Sequence, residues 1–217
     1  SRRYAPTVMR RLAAIPFVLS SLLIGCQPGA APKTPEHPTE VLPETRITKT
    51  DPADLPKMLE GADDKLVRDD YKGAAAEYDH VYDVQPDGPL AKDALFSAGT
   101  AYLGTGDFAL AEKRYRTVLE QFPDADTAKP ALLRISRILA YEERWAELEP
   151  VADQIIARKD LVVIEQIEGL GGKGLALVSL GRVDEAAKVI DLARTIIDKN
   201  GLGEGGVWPL ELAQVSF

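Results

Sequence analysis

The sequence predicts an all-α fold, a solenoid of about four helix–turn–helix repeats that follows an extended tether. Three observations predict this architecture. Small and apolar residues recur through residues 56–200 with a period of 37 to 38, seven of the 15 prolines fall within residues 27–56, and a short apolar segment stands near the N-terminus. The 217 residues are 45% hydrophobic and 28% charged, which is typical of globular protein.

The N-terminal residues 1–25 have the pattern of a secretory signal peptide. The basic start Met9-Arg10-Arg11 precedes an apolar run of 13 residues, Leu12 to Ile24, which is too short to span a bilayer. We therefore expect the natural chain to start at Met9. The stretch Leu23-Ile24-Gly25-Cys26 resembles the bacterial lipobox, and this resemblance implies a lipid on Cys26. An ordinary signal peptide followed by a chance cysteine is the alternative.

The cysteine and histidine content limits the chemistry. One cysteine excludes an internal disulfide, and two histidines leave too few ligands for the usual zinc site. We expect no metal, and no cofactor apart from the covalent lipid on Cys26. The expected role of this lipid is an anchor, because several acyl chains hold a protein firmly at a membrane. In the lipoprotein sorting rule that the resemblance implies, Gln27 permits export to the outer membrane, where we expect the protein to face the periplasm.

Residues 26–55 form a proline-rich linker that we expect to be disordered. A polyproline II chain of this length could reach about 80–90 Å, which is suitable for a spacer between the membrane and a folded body. A disordered stub without a spacing role has the same composition. The first 26 residues carry four arginines and no acids, so the remainder holds 22 basic and 34 acidic residues, a net charge of −12. Such a body repels nucleic acid and anionic lipid headgroups, so its expected partners are proteins.

The body contains four similar blocks, residues 69–86, 106–123, 143–160 and 181–198. One column holds small or apolar residues and another holds aromatic or apolar residues, each with separations of 37, 37 and 38: Ala74, Ala111, Leu148, Ala186 and Tyr71, Phe108, Trp145, Val183. Each block follows an apolar-periodic segment of helical length: Met58–Val67, Ala94–Leu103, Ala131–Tyr141 and Ile164–Leu180. Glycine or charged pairs separate segment and block, which predicts a helix, a tight turn and a second helix in every unit.

These units resemble the tetratricopeptide repeat, most clearly at residues 92–125. The resemblance implies a right-handed superhelix in which signature residues pack neighbouring helices together: Ala74, Tyr78, Gly99, Tyr102, Ala111, Tyr115, Pro123 and Ala186. The third repeat departs most, with Leu148 at the alanine position and Asp160 at the proline position. The long linkers between pairs are similar in style to those of bacterial envelope lipoproteins of the BamD and CpoB type.

The resemblance also implies that partners bind along a concave groove lined by the first helix of each pair. The groove positions are Asp63, Leu66, Phe96, Thr100, Leu103, Leu133, Arg137, Tyr141, Leu175 and Val178. Phe96 and Thr100 stand where a chaperone-type carboxylate clamp needs lysine and asparagine, so we expect capture of an extended or helical apolar segment, with Arg137 as the single cation. Each of these side chains could instead belong to the core.

Residues 169–174 contain a G-x-G-x-x-G pattern, which in a strand–turn–helix context binds dinucleotides. Here it falls within the first helix of the fourth repeat, so we expect no nucleotide site, and we expect a kink or a late helix start near Gly171. The carboxylate pairs of the chain have no nucleophile or ligand set at a telling spacing. We therefore expect no enzyme activity.

The leading functional hypothesis is an outer-membrane lipoprotein scaffold that helps to assemble or stabilise an envelope machine. Barrel assembly, a pilus or secretin pilot role and a motility or trans-envelope complex are all compatible with it. The alternative is a periplasmic coordinator that regulates cell-wall enzymes. Residues 201–217 contain a glycine-rich turn and then VWPLELAQVSF, which is typical of the start of a further helix. We expect the natural chain to continue past Phe217, and an enzyme would need a catalytic domain there.

Overall fold

A computed structural model describes residues 50–202, which form four helical hairpins. A short 3₁₀ helix, Pro52–Asp54, precedes them, and the helices are α1 (Leu55–Val67), α2 (Tyr71–Val84), α3 (Ala91–Thr105), α4 (Phe108–Gln121), α5 (Ala128–Tyr141), α6 (Trp145–Ala157), α7 (Val163–Ser179) and α8 (Val183–Lys199). This part of the chain contains no strand, and the all-α repeat prediction is confirmed. None of its helices has the length and apolarity needed to cross a bilayer. The predicted signal peptide, Cys26, most of the linker and the final segment lie outside the described residues.

The solenoid begins a few residues before the predicted boundary at residue 56. The Asp51 carboxylate accepts a hydrogen bond of 3.0 Å from the Ala53 N–H, and Pro52 supplies the φ angle that the first turn of a helix needs. Leu55 is then buried in a small cluster with Val81 and Ala94. The end of the proline-rich linker is therefore ordered, because Leu55 belongs to the core.

All four turns within the hairpins place one residue in the left-handed conformation, and these residues occupy the same repeat position: Asp69, Gly106, Glu143 and Gly181. Glycine adopts this conformation without a steric cost, whereas aspartate or glutamate in this conformation lowers the stability of the fold by roughly 1–2 kcal/mol. The next residue starts the second helix. Asp70 and Asp107 each accept a backbone N–H at 3.0 Å, from Gly73 and Leu110, as capping residues do.

The core contains the predicted column of small or apolar residues and the signature tyrosines of α2 and α4, whereas the predicted column of aromatic or apolar residues is half-buried at Tyr71, Phe108 and Trp145 and exposed at Val183. Ala74, Ala111 and Ala186 are fully buried, and so are the rings of Tyr78 and Tyr115. Gly99 is needed because a Cβ there would stand 2.7 Å from the Tyr115 ring. The largest cluster extends from α3 to α7, and smaller clusters join α1 to α3 and α7 to α8. Of the other predicted packing residues, Tyr102 is half-buried and Pro123 is exposed.

Helix α7 corrects the expectation of a late start near Gly171, since it runs without a break from Val163 to Ser179. Its glycines are buried, and Gly169 allows close contact with the preceding hairpin. A Cβ on Gly169 would lie 2.7 Å from Cγ2 of Ile155, whereas one on Gly172 would lie 3.4 Å from the Ser136 hydroxyl. The contacts of α7 with α6 and α5 therefore offset the poor helix propensity of glycine.

Two alanine substitutions in α7 should have opposite effects on stability. Gly169→Ala should lower the free energy of unfolding by about 1–3 kcal/mol, because the buried, β-branched Ile155 has no room to move. Gly172→Ala should be neutral or raise it by up to about 1 kcal/mol, since its new methyl group makes only ordinary contacts. Urea unfolding of both variants measures the difference. Equal effects would contradict the close approach at Gly169.

Candidate partner-binding groove

The repeat spacing places the predicted groove residues on the first helices α1, α3, α5 and α7. Leu133 is buried in the main core. Leu66, Phe96, Leu103 and Leu175 are half-buried and pack against core clusters, and Thr100 and Val178 are also half-buried. Asp63, Arg137 and Tyr141 are exposed. Leu133 thus belongs to the core, whereas the half-buried positions present part of each side chain to solvent.

The centre of the groove consists of α3 side chains that rest on the buried Tyr115 of α4. The Phe96 ring lies 5.4 Å from the Tyr115 ring, centroid to centroid, at an angle of 55°. The Thr100 hydroxyl donates to the Phe96 carbonyl at 3.2 Å, which leaves its oxygen to accept from the Tyr115 hydroxyl at 3.1 Å. Burial raises the pKa of Tyr115, so the phenol stays neutral. This part of the groove is apolar, and its two hydroxyl groups already donate their protons to hydrogen bonds within the protein.

The electrostatics of the groove differ from the expectation that Arg137 is its single cation. Arg137 donates two hydrogen bonds, of 2.6 and 2.7 Å, to the Glu168 carboxylate on α7. Its charge is therefore matched by Glu168, and the pair joins α5 to α7. Sequence reasoning missed Arg134, a half-buried cation three residues earlier on α5 that has no carboxylate within 4 Å among residues 50–202. The i, i+3 spacing of the two arginines could have identified it.

Other predicted polar residues serve the packing of neighbouring helices. The Tyr78 hydroxyl donates to Asp63 at 2.5 Å, which fixes α2 against α1. Tyr102 and Arg114 both donate to the Asp79 carboxylate at 2.6 to 2.7 Å, which joins α2, α3 and α4. Asp63 is therefore only in part available to a ligand. These pairs link sequence positions that are 15 to 35 residues apart.

A repeated ion pair connects successive hairpins on the side of the second helices. Arg144 bonds to Glu112 of the preceding hairpin at 2.5 Å, and Arg182 bonds to Glu149 at 2.7 Å. Both arginines stand at the capping position that Asp70 and Asp107 occupy in the first two hairpins. Each also bonds to a glutamate of its own helix, Glu147 or Glu185. The later hairpins thus exchange a helix cap for an ion pair between repeats.

Replacement of Arg144 by alanine should destabilise the solenoid by about 1–2 kcal/mol, because it removes one of the two arginines that pair with the buried Glu112. Contact with Arg144 lowers the pKa of Glu147. The pair of Glu147 and Arg144 therefore stabilises the fold fully above the usual glutamate pKa, and this stabilisation is lost as the pH falls through the lowered pKa. The difference between wild type and Arg144→Ala should therefore shrink in acid. Urea unfolding at pH 7 and pH 4 measures it. Arg68→Ala, which removes an exposed pair with Asp64 at 3.6 Å, is the control and should cost less than about 0.5 kcal/mol.

The glycine pattern of residues 169–174 and the possible metal ligands of the described residues form no binding site. The G-x-G-x-x-G residues lie inside α7 with their glycines buried, so they form no phosphate-binding loop. Within residues 50–202, no group of three histidine, cysteine, aspartate or glutamate side chains is arranged to hold a metal ion.

Comparison with known families agrees with this geometry. A tetratricopeptide repeat model matches residues 59–126 and, in a second alignment, residues 96–135. These matches cover α1 to α4 and part of α5. No curated protein matches the chain. Helices α6 to α8 continue the same period and the same left-handed turn position, with Leu148 and Ala186 buried at the position of Ala74 and Ala111. The chain therefore contains tetratricopeptide repeats over residues 59–135, and repeats of this kind are scaffolds for protein–protein interaction.

Proposed function

We propose that the concave groove of this solenoid binds an apolar segment of a partner protein. The observation that carries the proposal is the set of half-buried apolar side chains on α1, α3 and α7, beside hydroxyl groups that are already bonded to one another: Leu66, Phe96, Leu103, Leu175 and Val178. An extended or helical segment with apolar side chains would complete the burial of this row. Because Glu168 matches the charge of Arg137, Arg134 is the cation that a polar group next to the apolar part of the segment would meet.

We further propose that the protein is a lipid-anchored scaffold at the periplasmic face of a bacterial outer membrane. The signal-peptide pattern, the lipobox at Cys26 and the proline-rich linker support this location. The scaffold would serve a multi-protein envelope machine, such as a barrel-assembly, secretin-pilot or motility complex. It would act by binding alone, without catalysis and without a cofactor beyond the covalent lipid.

A periplasmic coordinator of cell-wall enzymes is the second candidate, because the long-linker repeats are similar in style to those of CpoB. The two candidates differ in the partner that occupies the groove. Barrel or secretin subunits would indicate the scaffold, and peptidoglycan synthases would indicate the coordinator.

Site-specific photo-crosslinking in intact cells tests the proposed function. A photoreactive residue at Leu103 or Val178 samples the groove, and one at Lys113 or Thr195 samples exposed positions on the second helices α4 and α8. We expect the groove positions to capture one set of membrane proteins that the control positions do not. Equal capture at all four positions would contradict groove binding. Unchanged membrane association of a Cys26→Ser variant would contradict the lipid anchor without affecting the groove result.

A further inference from the structure

The edge of the solenoid where each first helix turns into its second helix carries a second apolar surface. We call it the turn-edge stripe and define it by six residues at the helix ends that flank the turns: Val67, Tyr71, Phe108, Tyr141, Leu180 and Val183. Tyr141, a predicted groove residue, belongs to this edge, because its ring packs 4.8 Å from the ring of Phe108 at the start of α4. The stripe is therefore distinct from the concave groove.

Four of the six stripe residues are exposed although they are large and apolar, whereas Tyr71 and Phe108 are half-buried. The exposed fraction is 84% for Val67, 72% for Tyr141, 46% for Val183 and 40% for Leu180. Isolated exposed apolar residues need no explanation, but a contiguous row indicates an interaction surface.

Contacts between hairpins make the stripe continuous over its first part. The ring of Tyr71 covers Gly104, where any Cβ would collide with it, and so reaches from the first hairpin to the second. The pair of Phe108 and Tyr141 makes the equivalent contact from the second hairpin to the third. The same repeat positions thus meet in successive hairpins, which aligns the rings along one edge.

The charges beside the stripe are mainly negative. Asp70, Asp107, Glu143 and Asp184 are exposed at the turns, and none has a cation within 4 Å among the described residues. Each of the three guanidinium groups at this edge has at least one carboxylate within 4 Å, and Arg68 has only the exposed Asp64, at 3.6 Å. Arg144 lies within 4 Å of the carboxylates of Glu112, Glu142 and Glu147, and Arg182 lies within 4 Å of those of Glu149 and Glu185.

We propose that the turn-edge stripe binds a basic amphipathic helix of a partner protein. Its apolar face would cover the exposed stripe side chains, as in other complexes in which a helix docks on an apolar surface. Its lysines and arginines would meet the unmatched carboxylates of the turns and the faces of the tyrosine and phenylalanine rings. The negative turns repel an anionic bilayer, which disfavours a lipid surface as the occupant. The stripe and the groove can then bind different segments at the same time.

Fluorescence anisotropy of a labelled 18-residue peptide, with leucines on one helical face and lysines on the other, tests this proposal on the full chain. We expect saturable binding that weakens with salt and weakens about fivefold or more in Tyr141→Ser. Leu192→Ser is the matched control, since Leu192 is 50% exposed on α8 away from the turns, and it should leave Kd unchanged. Asp184→Lys should weaken binding, whereas Asp198→Lys, at the other end of α8, should not.

Several results would overturn the proposal. They are the absence of saturable binding, equal losses in Tyr141→Ser and Leu192→Ser, or equal affinity for a scrambled peptide or for one with glutamates in place of lysines. Binding of phosphatidylglycerol vesicles that Tyr141→Ser abolishes would assign the stripe to a membrane instead. Val67→Ser, at the most exposed stripe position, repeats the test if Tyr141→Ser changes the thermal melting.

Discussion

Replacement of Ala111 by glutamate should unfold the second hairpin and loosen its neighbours. Ala111 has no exposed surface, and it lies in the main core cluster with Leu95, Tyr115 and Leu148. A carboxylate there has no space and no cation, so the charge is buried without a partner. We expect the loss in unfolding free energy to exceed about 4 kcal/mol. Because each hairpin is stable only against its neighbours, the damage should spread along the array.

Circular dichroism and thermal melting measure this effect directly. The matched control is Ala109→Glu, two residues earlier on α4, where the side chain is exposed in the first turn of the helix. A carboxylate there should be neutral or slightly stabilising, since it faces the positive end of the helix. If Ala111→Glu melts like wild type, the assignment of repeat positions is wrong.

Replacement of Tyr115 by alanine should cost about 3–5 kcal/mol of unfolding free energy. The ring is fully buried between Phe96 and Gly99 of α3, and its hydroxyl bonds to Thr100. Its removal leaves a cavity that the rigid helix backbones cannot close. The groove should suffer as well, because Phe96 and Thr100 lose the surface on which they rest.

The companion variant Tyr115→Phe separates the ring from the hydroxyl. It keeps the packing and removes one hydrogen bond, so it should cost about 1 kcal/mol. Urea unfolding of both variants gives the two free energies. A Tyr115→Phe loss as large as that of Tyr115→Ala would mean that the bond to Thr100, and not the packing, holds α3 to α4.

Structural features that recur from one repeat to the next could be predicted from the sequence alone. The column of Ala74, Ala111 and Ala186 predicted the points of close approach, because a small side chain recurs there in three of the four units and Leu148 is buried there in the third. The turn positions were equally visible, since glycine at 106 and 181 marks the left-handed residue that Asp69 and Glu143 also adopt.

Features that depend on contact between particular side chains of different hairpins could not be predicted. Arg137 and Glu168 are 31 residues apart, and only the relative position of α5 and α7 shows that they meet. The glycines of α7 suggested a break in the helix, but the distance to Ile155 shows that they serve close packing. Tyr141 matched a groove position in the family pattern, and its ring lies instead on Phe108.

The ion pairs between hairpins have a consequence for how such a chain can lengthen. Glu112 and Glu149 occupy equivalent positions 37 residues apart, and each meets an arginine at the start of the following second helix. A tandem duplication of residues 113–149 would supply one new arginine for Glu149 and one new glutamate for Arg182. Every carboxylate and guanidinium group in this series would keep a partner. The series of ion pairs therefore sets no limit to the number of hairpins, since each added copy of this segment brings both partners of one further pair.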